Sequence, residues 1–488
     1  MQSVWHQNIE IPHRPALEGT LRADAAVIGA GMAGVLTARF LADAGLSVVV
    51  LEASRIGSGQ TGRTTAKITS QHGLCYEALT RAHGAEKARL YAQANERAIG
   101  DYRRMAGRFG GCGWRECAAY IYTRKDPLPL EEECAAARAA GIDASLTRAP
   151  ELPFEAAALR FPRQACFDPL RFLAAAADGL RIYENTPALD VQGGTVKIPS
   201  GEVHAGAVCF CCHYPFINSP GYYFMRMHQQ RSYVLALEDA PLPDGMYLGA
   251  DENGYSLRAA GKYLLLGGAG HRAGENTQGG RYSLLRAAAR KYFPSAREAA
   301  HWSAQDCIPL DGMPYIGRFS AATPNWYVAT GFQKWGMTSS MVSARILTAL
   351  VTGEKDAAAE LFSPQRFTPS ASAVSLMEET LAASKGLARR FVRPPRAELE
   401  ALAPGHGGIV SYDGEKVGAY RDEAGEVYLV AARCPHLGCE LSWNPDEKSF
   451  DCPCHGSRFD YLGRRIDGPA QTPIAGEPDG ERKGGDAV

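Results

Sequence analysis

No apolar run in this 488-residue chain is long enough to cross a bilayer as a helix, so no membrane span is expected. The opening MQSVWHQNIEIPHRP has no apolar core, no twin arginine and no small-residue cleavage pattern; a cytoplasmic protein is expected. An excess of charge of one sign is also missing. Fifty-two basic residues stand against 53 acidic ones, a net charge of −1, so neither nucleic acid nor an anionic lipid surface is implied as a partner. Internal repeats are absent. A framework spacing of cysteines is absent too: of 13, nine (Cys75, Cys112, Cys117, Cys134, Cys166, Cys209, Cys211, Cys212 and Cys307) follow no disulfide pattern, which argues against a secreted, cross-linked scaffold. Cys209, Cys211 and Cys212 end a strand-like run and read as buried thiols, since no second Cys/His pair of metal-binding spacing accompanies them. What is present is the composition of a folded globular protein, 45% hydrophobic and 22% charged, with room for two or three domains.

The most specific pattern lies near the end. Cys434-Pro-His436 is followed, after 15 intervening residues, by Cys452-Pro-Cys454-His455. Zinc competes for any Cys2His2 set, but a zinc finger usually groups both cysteines in one pair and both histidines in the other. Here each pair mixes one thiolate with one imidazole. That is the ligand set of a Rieske [2Fe-2S] cluster, in which two Cys hold one iron and two His the other. A cluster of this kind passes one electron at a time, so the chain needs an electron source and a sink. The region resembles Rieske domains, and more narrowly those of cytochrome bc complexes. The resemblance implies a Cys439–Cys454 disulfide clamping the two cluster loops, a hydroxyl donor to a cluster sulfur at Ser457, and a covering loop at Gly468-Pro469-Ala470. Phe459 departs from the pattern, since those proteins usually place a hydrogen-bonding tyrosine there. A potential below the top of the Rieske range of roughly −150 to +300 mV is therefore expected.

A source is legible at the other end. The apolar run Ala25–Ile28 leads into Gly29-Ala-Gly31-Met-Ala-Gly34, then a helical pattern over 35–44, then a second buried run Val48–Leu51 ending in Glu52. This is a complete βαβ dinucleotide fingerprint. Gly29 permits the tight turn, Gly31 the approach of a pyrophosphate, Gly34 the packing of helix on sheet, and Glu52 is placed for a ribose. The fingerprint alone does not separate FAD from NAD. The segment Gly57-Ser-Gly59-Gln-Thr61-Gly62-Arg63-Thr64-Thr65-Ala66-Lys67 resembles the second flavin segment of FAD-dependent oxidoreductases of the D-amino-acid oxidase (DAO) type. The stretches Pro309–Gly317 and Ala329-Thr330-Gly331-Phe332-Gln-Lys-Trp335-Gly336-Met337-Thr338 are similar to that family's C-terminal FAD segments. The resemblance spans roughly residues 20–365. It implies FAD as cofactor, with Gly59, Thr61, Arg63, Thr64, Thr65, Gly317, Gly331, Gly336, Met337 and Thr338 among the binding positions. A helix over 338–353 would point its N-terminus at the flavin, although Thr338 could equally be only its N-cap. Leu264–Leu266 with Gly267-Gly268-Ala-Gly270-His271 reads as a strand and turn of the substrate domain, because no helix-forming run follows it. Without a site for NAD(P)H, electrons are expected from an organic substrate.

The expected fold class is α/β plus β: a Rossmann-like FAD-binding domain (20–80, 150–215 and 300–365) interleaved with a mixed-sheet substrate domain (81–149 and 216–299), a polar linker helix at 370–396, and a small all-β Rieske domain at 397–476. The stretch 76–150 reads as helical, most clearly Tyr76–Phe109, and 476–488 as a disordered tail. Substrate-site signals are weaker. His213, Arg231, Tyr233 and the His271-Arg272 pair are candidates to face the flavin; Arg231 is suited to a substrate carboxylate but equally to a structural salt bridge, and His213 to a structural role. Lys67 could lie near the flavin N5 or serve structure alone. The leading expectation is a dehydrogenase. A small amine or amino-acid-like substrate reduces FAD, and electrons leave singly through the cluster to an external acceptor, a protein or a quinone. The alternatives are a reductase with electrons entering through the cluster, and a redox sensor.

Overall fold

The computed structural model describes residues 2–7, 9–366 and 398–475. The expected linker helix at 370–396 and the tail beyond 476 lie outside the described residues. The chain divides into two compact units, one of Met1–Met227, Arg231–Gly270 and Arg281–Ser375, the other of His228–Gln230, His271–Gly280 and Leu376–Val488.

The first unit holds two large sheets. Gly19–Ile28 runs parallel to Val48–Leu51 on one side and to Gly201–Phe210 on the other, with Ala25 opposite both Val48 and Ala207. Arg181–Tyr183 extends this eight-stranded sheet beyond Val48–Leu51, and Thr323–Thr330 and Tyr315–Ser320 extend it beyond Gly201–Phe210. The last four residues of each central strand, Ala25–Ile28, Val48–Leu51 and Ala207–Phe210, form unbroken apolar runs because both of their faces are covered. Val27, Val50 and Cys209 join one core, whereas Ala26, Val49 and Val208 join another. Two helices, Met32–Asp43 and Gly336–Thr352, pack against each other in the first of these cores.

The second, nine-stranded sheet runs in the order Arg297–Pro309, Met227–Glu238, Tyr263–Arg272, Ser256–Ala260, Met246–Gly249, Arg115–Thr123, Ala157–Cys166, Lys67–Ile68, with Ser145–Arg148 also paired to Ala157–Cys166. Alternation along the strands sorts its faces. Val234, Ala236, Leu265 and Trp302 face the main core; Tyr233, Leu235, Leu264 and Leu266 face the helix Arg281–Tyr292.

Two readings need correction, and the helical one over 76–109 is met in two pieces. The pattern over Tyr76–Phe109 is two helices, Tyr76–His83 and Ala85–Phe109, because Gly84 takes φ +87 and ends the first. The buried carboxylate of Glu133 accepts from the amides of Cys75, Tyr76 and Glu77 at 2.9–3.0 Å, which satisfies the orphan donors at that helix start. Beyond residue 110 the helical reading gives way to the strand Arg115–Thr123, and helix returns at Leu128–Ala139. The glycines at 267–270 make no turn: the strand Tyr263–Arg272 runs through them. The strands approach closely there, for a Cβ on Gly270 would stand 3.3 Å from the Arg231 carbonyl oxygen.

The second unit contains a three-stranded antiparallel sheet, Gly407–Tyr412, Glu415–Arg421 and Val427–Ala431, and a four-stranded one, Ser442–Asn444, Ser449–Asp451, Arg458–Asp460 and Arg465–Asp467. Its core joins Tyr420, Val430, Leu441, Trp443, Phe450 and Phe459 to the four motif cysteines. Arg458, 2% exposed, reaches Asp451, Glu447 and Asp467 at 3.0–3.1 Å.

Candidate cofactor and substrate sites

The dinucleotide cradle forms where the first parallel strand ends. Gly29 adopts φ +104, and a Cβ there would stand 2.7 Å from the Cys211 carbonyl oxygen. A Cβ on Gly34 would lie 1.8 Å from the Gly29 oxygen, so the helix sits directly on the turn and no larger residue fits. Gly31 precedes the first turn of Met32–Asp43 and makes no side-chain cap. Thr61 closes the cradle by accepting the Met32 amide at 2.9 Å. Glu52 accepts from the Ala30 and Ser54 amides at 2.8 and 2.9 Å, which ties the turn to the end of the second strand. A close glycine turn at the N-terminus of a 12-residue helix fits a dinucleotide phosphate, through open backbone N–H groups and the helix dipole.

In the second segment, the Arg63 carbonyl accepts from Trp302 Nε1 and the Thr64 carbonyl from Trp5 Nε1, each at 2.8 Å, and Thr64 Oγ1 accepts from the Ala66 amide at 2.9 Å. Open space surrounds Gly59; Thr65, between Thr64 and Ala66, is partly buried. Gly317, at φ +145 in a strand, packs against Pro364, and Gly331, at φ +71, against Pro309. Gly336 opens the helix Gly336–Thr352, and the Met337 carbonyl accepts from Tyr102 Oη at 2.8 Å. The N-cap position is Trp335, not Thr338. Thr338 donates instead to the Thr69 carbonyl at 3.0 Å and lies 3.0 Å from His72 Nε2. His72 was not singled out by sequence, although it closes the run Thr69-Ser-Gln-His72 immediately after the second segment. Its ring stacks on Trp335 at 4.8 Å and meets Tyr91 Oη at 2.6 Å. Burial drives its pKa down to about 3, so the imidazole is neutral.

The candidate substrate residues do not converge. Arg231 is fully buried and bonded to Ser303 and Gln305; Tyr233, also fully buried, packs edge-on against Tyr282 under the covering helix. Both point to the face of the sheet away from the main core. His213 holds Cys307 Sγ at 3.3 Å and accepts at its carbonyl from Thr330. His271 and Arg272 fall in the second unit. Lys67 reaches Ser256 Oγ and the Tyr247 carbonyl; burial, with Arg258 adding to it, lowers its pKa to about 7.

In the second unit, two loops carry the four residues expected to hold the cluster, Cys434 with His436 and Cys452 with His455. Cys434 and Cys452 are buried. The amide of Cys434 donates to the Cys439 carbonyl at 2.9 Å, and that of Cys452 to the Ser457 carbonyl at 2.8 Å, which curls each loop around its ligands. The rings of His436 and His455 meet edge-on with centroids 4.9 Å apart. A disulfide joins Cys439 to Cys454 and so bridges the loops. It brings the sulfurs of Cys439, Cys452 and Cys454 within 4.8 Å of one another, but two of those three are oxidised and only Cys452 remains a thiolate donor. The Cys452 sulfur holds Cys434 below the ordinary thiol range, at about 7, against the opposing effect of burial. Burial lowers His436 to about 4, the direction that keeps an imidazole neutral for metal binding. Two convergent thiols and two convergent imidazoles match a Rieske donor set. Ser457 Oγ accepts the Ala470 amide at 3.0 Å, which leaves its proton for Cys434. Phe459 is buried and offers no hydroxyl.

A dinucleotide cradle on a DAO-like pair of sheets, in one chain with a Rieske-type ligand set, defines a flavin- and iron–sulfur-dependent oxidoreductase. The comparisons agree. Residues 24–350 match the DAO family, FAD dependent oxidoreductase, and residues 395–478 match the Rieske [2Fe-2S] domain. YhfW, a Rieske 2Fe-2S iron-sulfur protein of Bacillus subtilis (strain 168), is 35% identical over 97% of both chains. Among solved structures, glycine oxidase from Geobacillus kaustophilus (TM-score 0.60, 20% identity) aligns with 71% of this chain and 99% of its own. L-proline dehydrogenase from P. horikoshii (TM-score 0.61, 18% identity) aligns with 72% of this chain and 99% of its own. The chain belongs to the DAO family of FAD-dependent oxidoreductases and carries a C-terminal Rieske domain, so FAD and a [2Fe-2S] cluster are its cofactors. Among the described residues no helix is long and apolar enough to cross a membrane.

Proposed function

We propose that the chain is a dehydrogenase for a small amine or amino-acid-like substrate and that electrons leave it singly through the Rieske domain to an external acceptor, a protein or a quinone. When bound, FAD supplies a two-electron acceptor and the cluster a one-electron carrier. The observation that carries the reading is the union in one chain of a DAO-family FAD domain with a Rieske ligand set. The fold neighbours named for glycine and L-proline oxidation favour an amine substrate. The chain's own residues do the rest. Gly29, Gly31 and Gly34 with the Met32–Asp43 helix hold the phosphates. Glu52 and Thr61 fix the cradle, and Thr338, locked by Thr69 and His72, fixes the start of the helix Gly336–Thr352. Cys434, His436, Cys452 and His455 hold the cluster.

Anaerobic addition of a broad amine panel, followed optically, tests this. The flavin absorbance should bleach and the cluster should then be reduced. A panel that never bleaches the flavin refutes the substrate class. A His455→Cys variant that delivers electrons to an acceptor at the wild-type rate refutes the relay.

A further inference from the structure

The face of the nine-stranded sheet that meets the flavin segments carries a carboxyl group with no assigned task. Alternation along Arg297–Pro309 places Ala304 and Asp306 on the same face as Trp302, whose ring donates to the Arg63 carbonyl in the second flavin segment. The loop ahead of the helix Gly336–Thr352 is pinned beside this point, for the Gln333 amide donates to the Cys307 carbonyl at 2.9 Å. That loop brings in Lys334. Its Nζ lies 3.7 Å from where a Cβ on Gly270 would stand, and Ser232 Oγ lies 3.8 Å from the same point. Ser232 Oγ is buried without a partner. Asp306 keeps some exposed surface and, among the described residues, makes no hydrogen bond or close ion pair. A carboxylate held inside a protein without partners is costly unless something that binds there compensates it.

We propose that Asp306 receives the substrate amine: its carboxylate binds the ammonium and takes one proton from it, leaving the nitrogen neutral before the neighbouring C–H bond is oxidised. This rests on the amine-oxidising reading above. The step breaks one N–H bond and forms one O–H bond, and nothing is oxidised in it. Burial raises the Asp306 pKa to about 7, with Lys334 and then Arg231 opposing the rise, so the group is poised to exchange a proton near neutral pH. The charged groups that act on it are Lys334 from the loop and, across the sheet, Arg231 from the adjacent strand, which is bonded to Ser303 and Gln305; His213 is engaged with Cys307, also on the other face.

The test uses holoenzyme and the amines that bleach the wild-type flavin, beginning with glycine and L-proline. The second-order rate constant for anaerobic flavin reduction is measured against pH. For wild type it should rise through an inflection near 7. For Asp306→Asn it should fall by roughly 10²–10³ at neutral pH, with the inflection displaced upward to that of the free amine, so that the gap to wild type closes as pH rises. Asp306→Glu should restore part of the rate. An Asp306→Asn profile that keeps the inflection near 7, or a deficit equal at every pH, overturns the assignment while leaving amine oxidation intact. Absence of wild-type reduction by every amine overturns the amine reading itself.

Discussion

Replacing Arg458 by methionine should unravel the cluster-bearing unit more than any cavity argument would predict. The guanidinium is 2% exposed and bridges Asp451 at 3.0 Å, Glu447 at 3.1 Å and Asp467 at 3.0 Å. Methionine keeps most of the volume, so little packing is lost. What changes is the charge left behind. Glu447 and Asp467, each 11% exposed, can turn toward water, but Asp451, at 1%, cannot. Removing one partner of a buried ion pair costs about 3–5 kcal/mol, because the other charge stays uncompensated. With a urea dependence of about 1 kcal/mol per molar for a small unit, the midpoint should fall by roughly 3–5 M. Asp451 ends one strand and Arg458 begins the next, and the loop between them holds Cys452 and His455. The cluster's visible absorbance therefore reports unfolding of this unit alone, which avoids fitting the whole chain as two-state. A second substitution, Asp451→Asn, should recover most of the loss. A midpoint within roughly 0.5 M of wild type for Arg458→Met would refute the argument, since the guanidinium would then be dispensable.

Three further outcomes follow from the same geometry. Gly34→Ala places a Cβ 1.8 Å from the Gly29 oxygen, so purified protein should retain less than about a tenth of wild-type FAD, a loss above about 1.4 kcal/mol in affinity; full flavin content would refute the cradle. Cys439→Ser with Cys454→Ser opens a link across 15 residues, worth about 3 kcal/mol on the loop-entropy scale; the cluster should bleach faster in chelator and denaturant, and unchanged kinetics would show that the clamp is idle. Ser457→Ala removes the hydroxyl beside Cys434, together with the acceptor of the Ala470 amide, and should lower the cluster potential in a redox titration; an unchanged potential would show that the hydroxyl does not reach the sulfur.

Features carried by unbroken or local patterns were legible in the sequence. Ala25–Ile28 and Val48–Leu51 appear as strands because each is buried on both faces and needs no partner to be recognised. The Rieske domain is legible because metal chemistry dictates residue type and spacing together. The stretch 76–109 is helical as its pattern indicates, but its break into two helices at Gly84 and the seating of the Tyr76 helix start on Glu133, 57 positions from Tyr76, follow no local pattern.

The substrate-facing residues show why chemistry type alone misleads. Arg231 and Tyr233 attract notice as an arginine and a tyrosine in a strand, yet Ser232 between them is the one that faces the flavin segments. Which of two alternating sets looks inward depends on what covers each face of the sheet, and the covering helix Arg281–Tyr292 lies some 50 residues downstream. Lys334 stood in plain view inside a flavin motif but has meaning only once Gln333 is pinned to Cys307. Asp306 is a single acid in an otherwise unremarkable strand; its significance comes from the lack of a partner, a property that exists only in three dimensions. If face assignment is the controlling variable, then Arg231→Lys should affect stability more than flavin reduction, and Ser232→Val the reverse. Both orders can be read from one thermal melt and one reduction trace per variant, and inversion of either would place the substrate on the opposite face of the sheet.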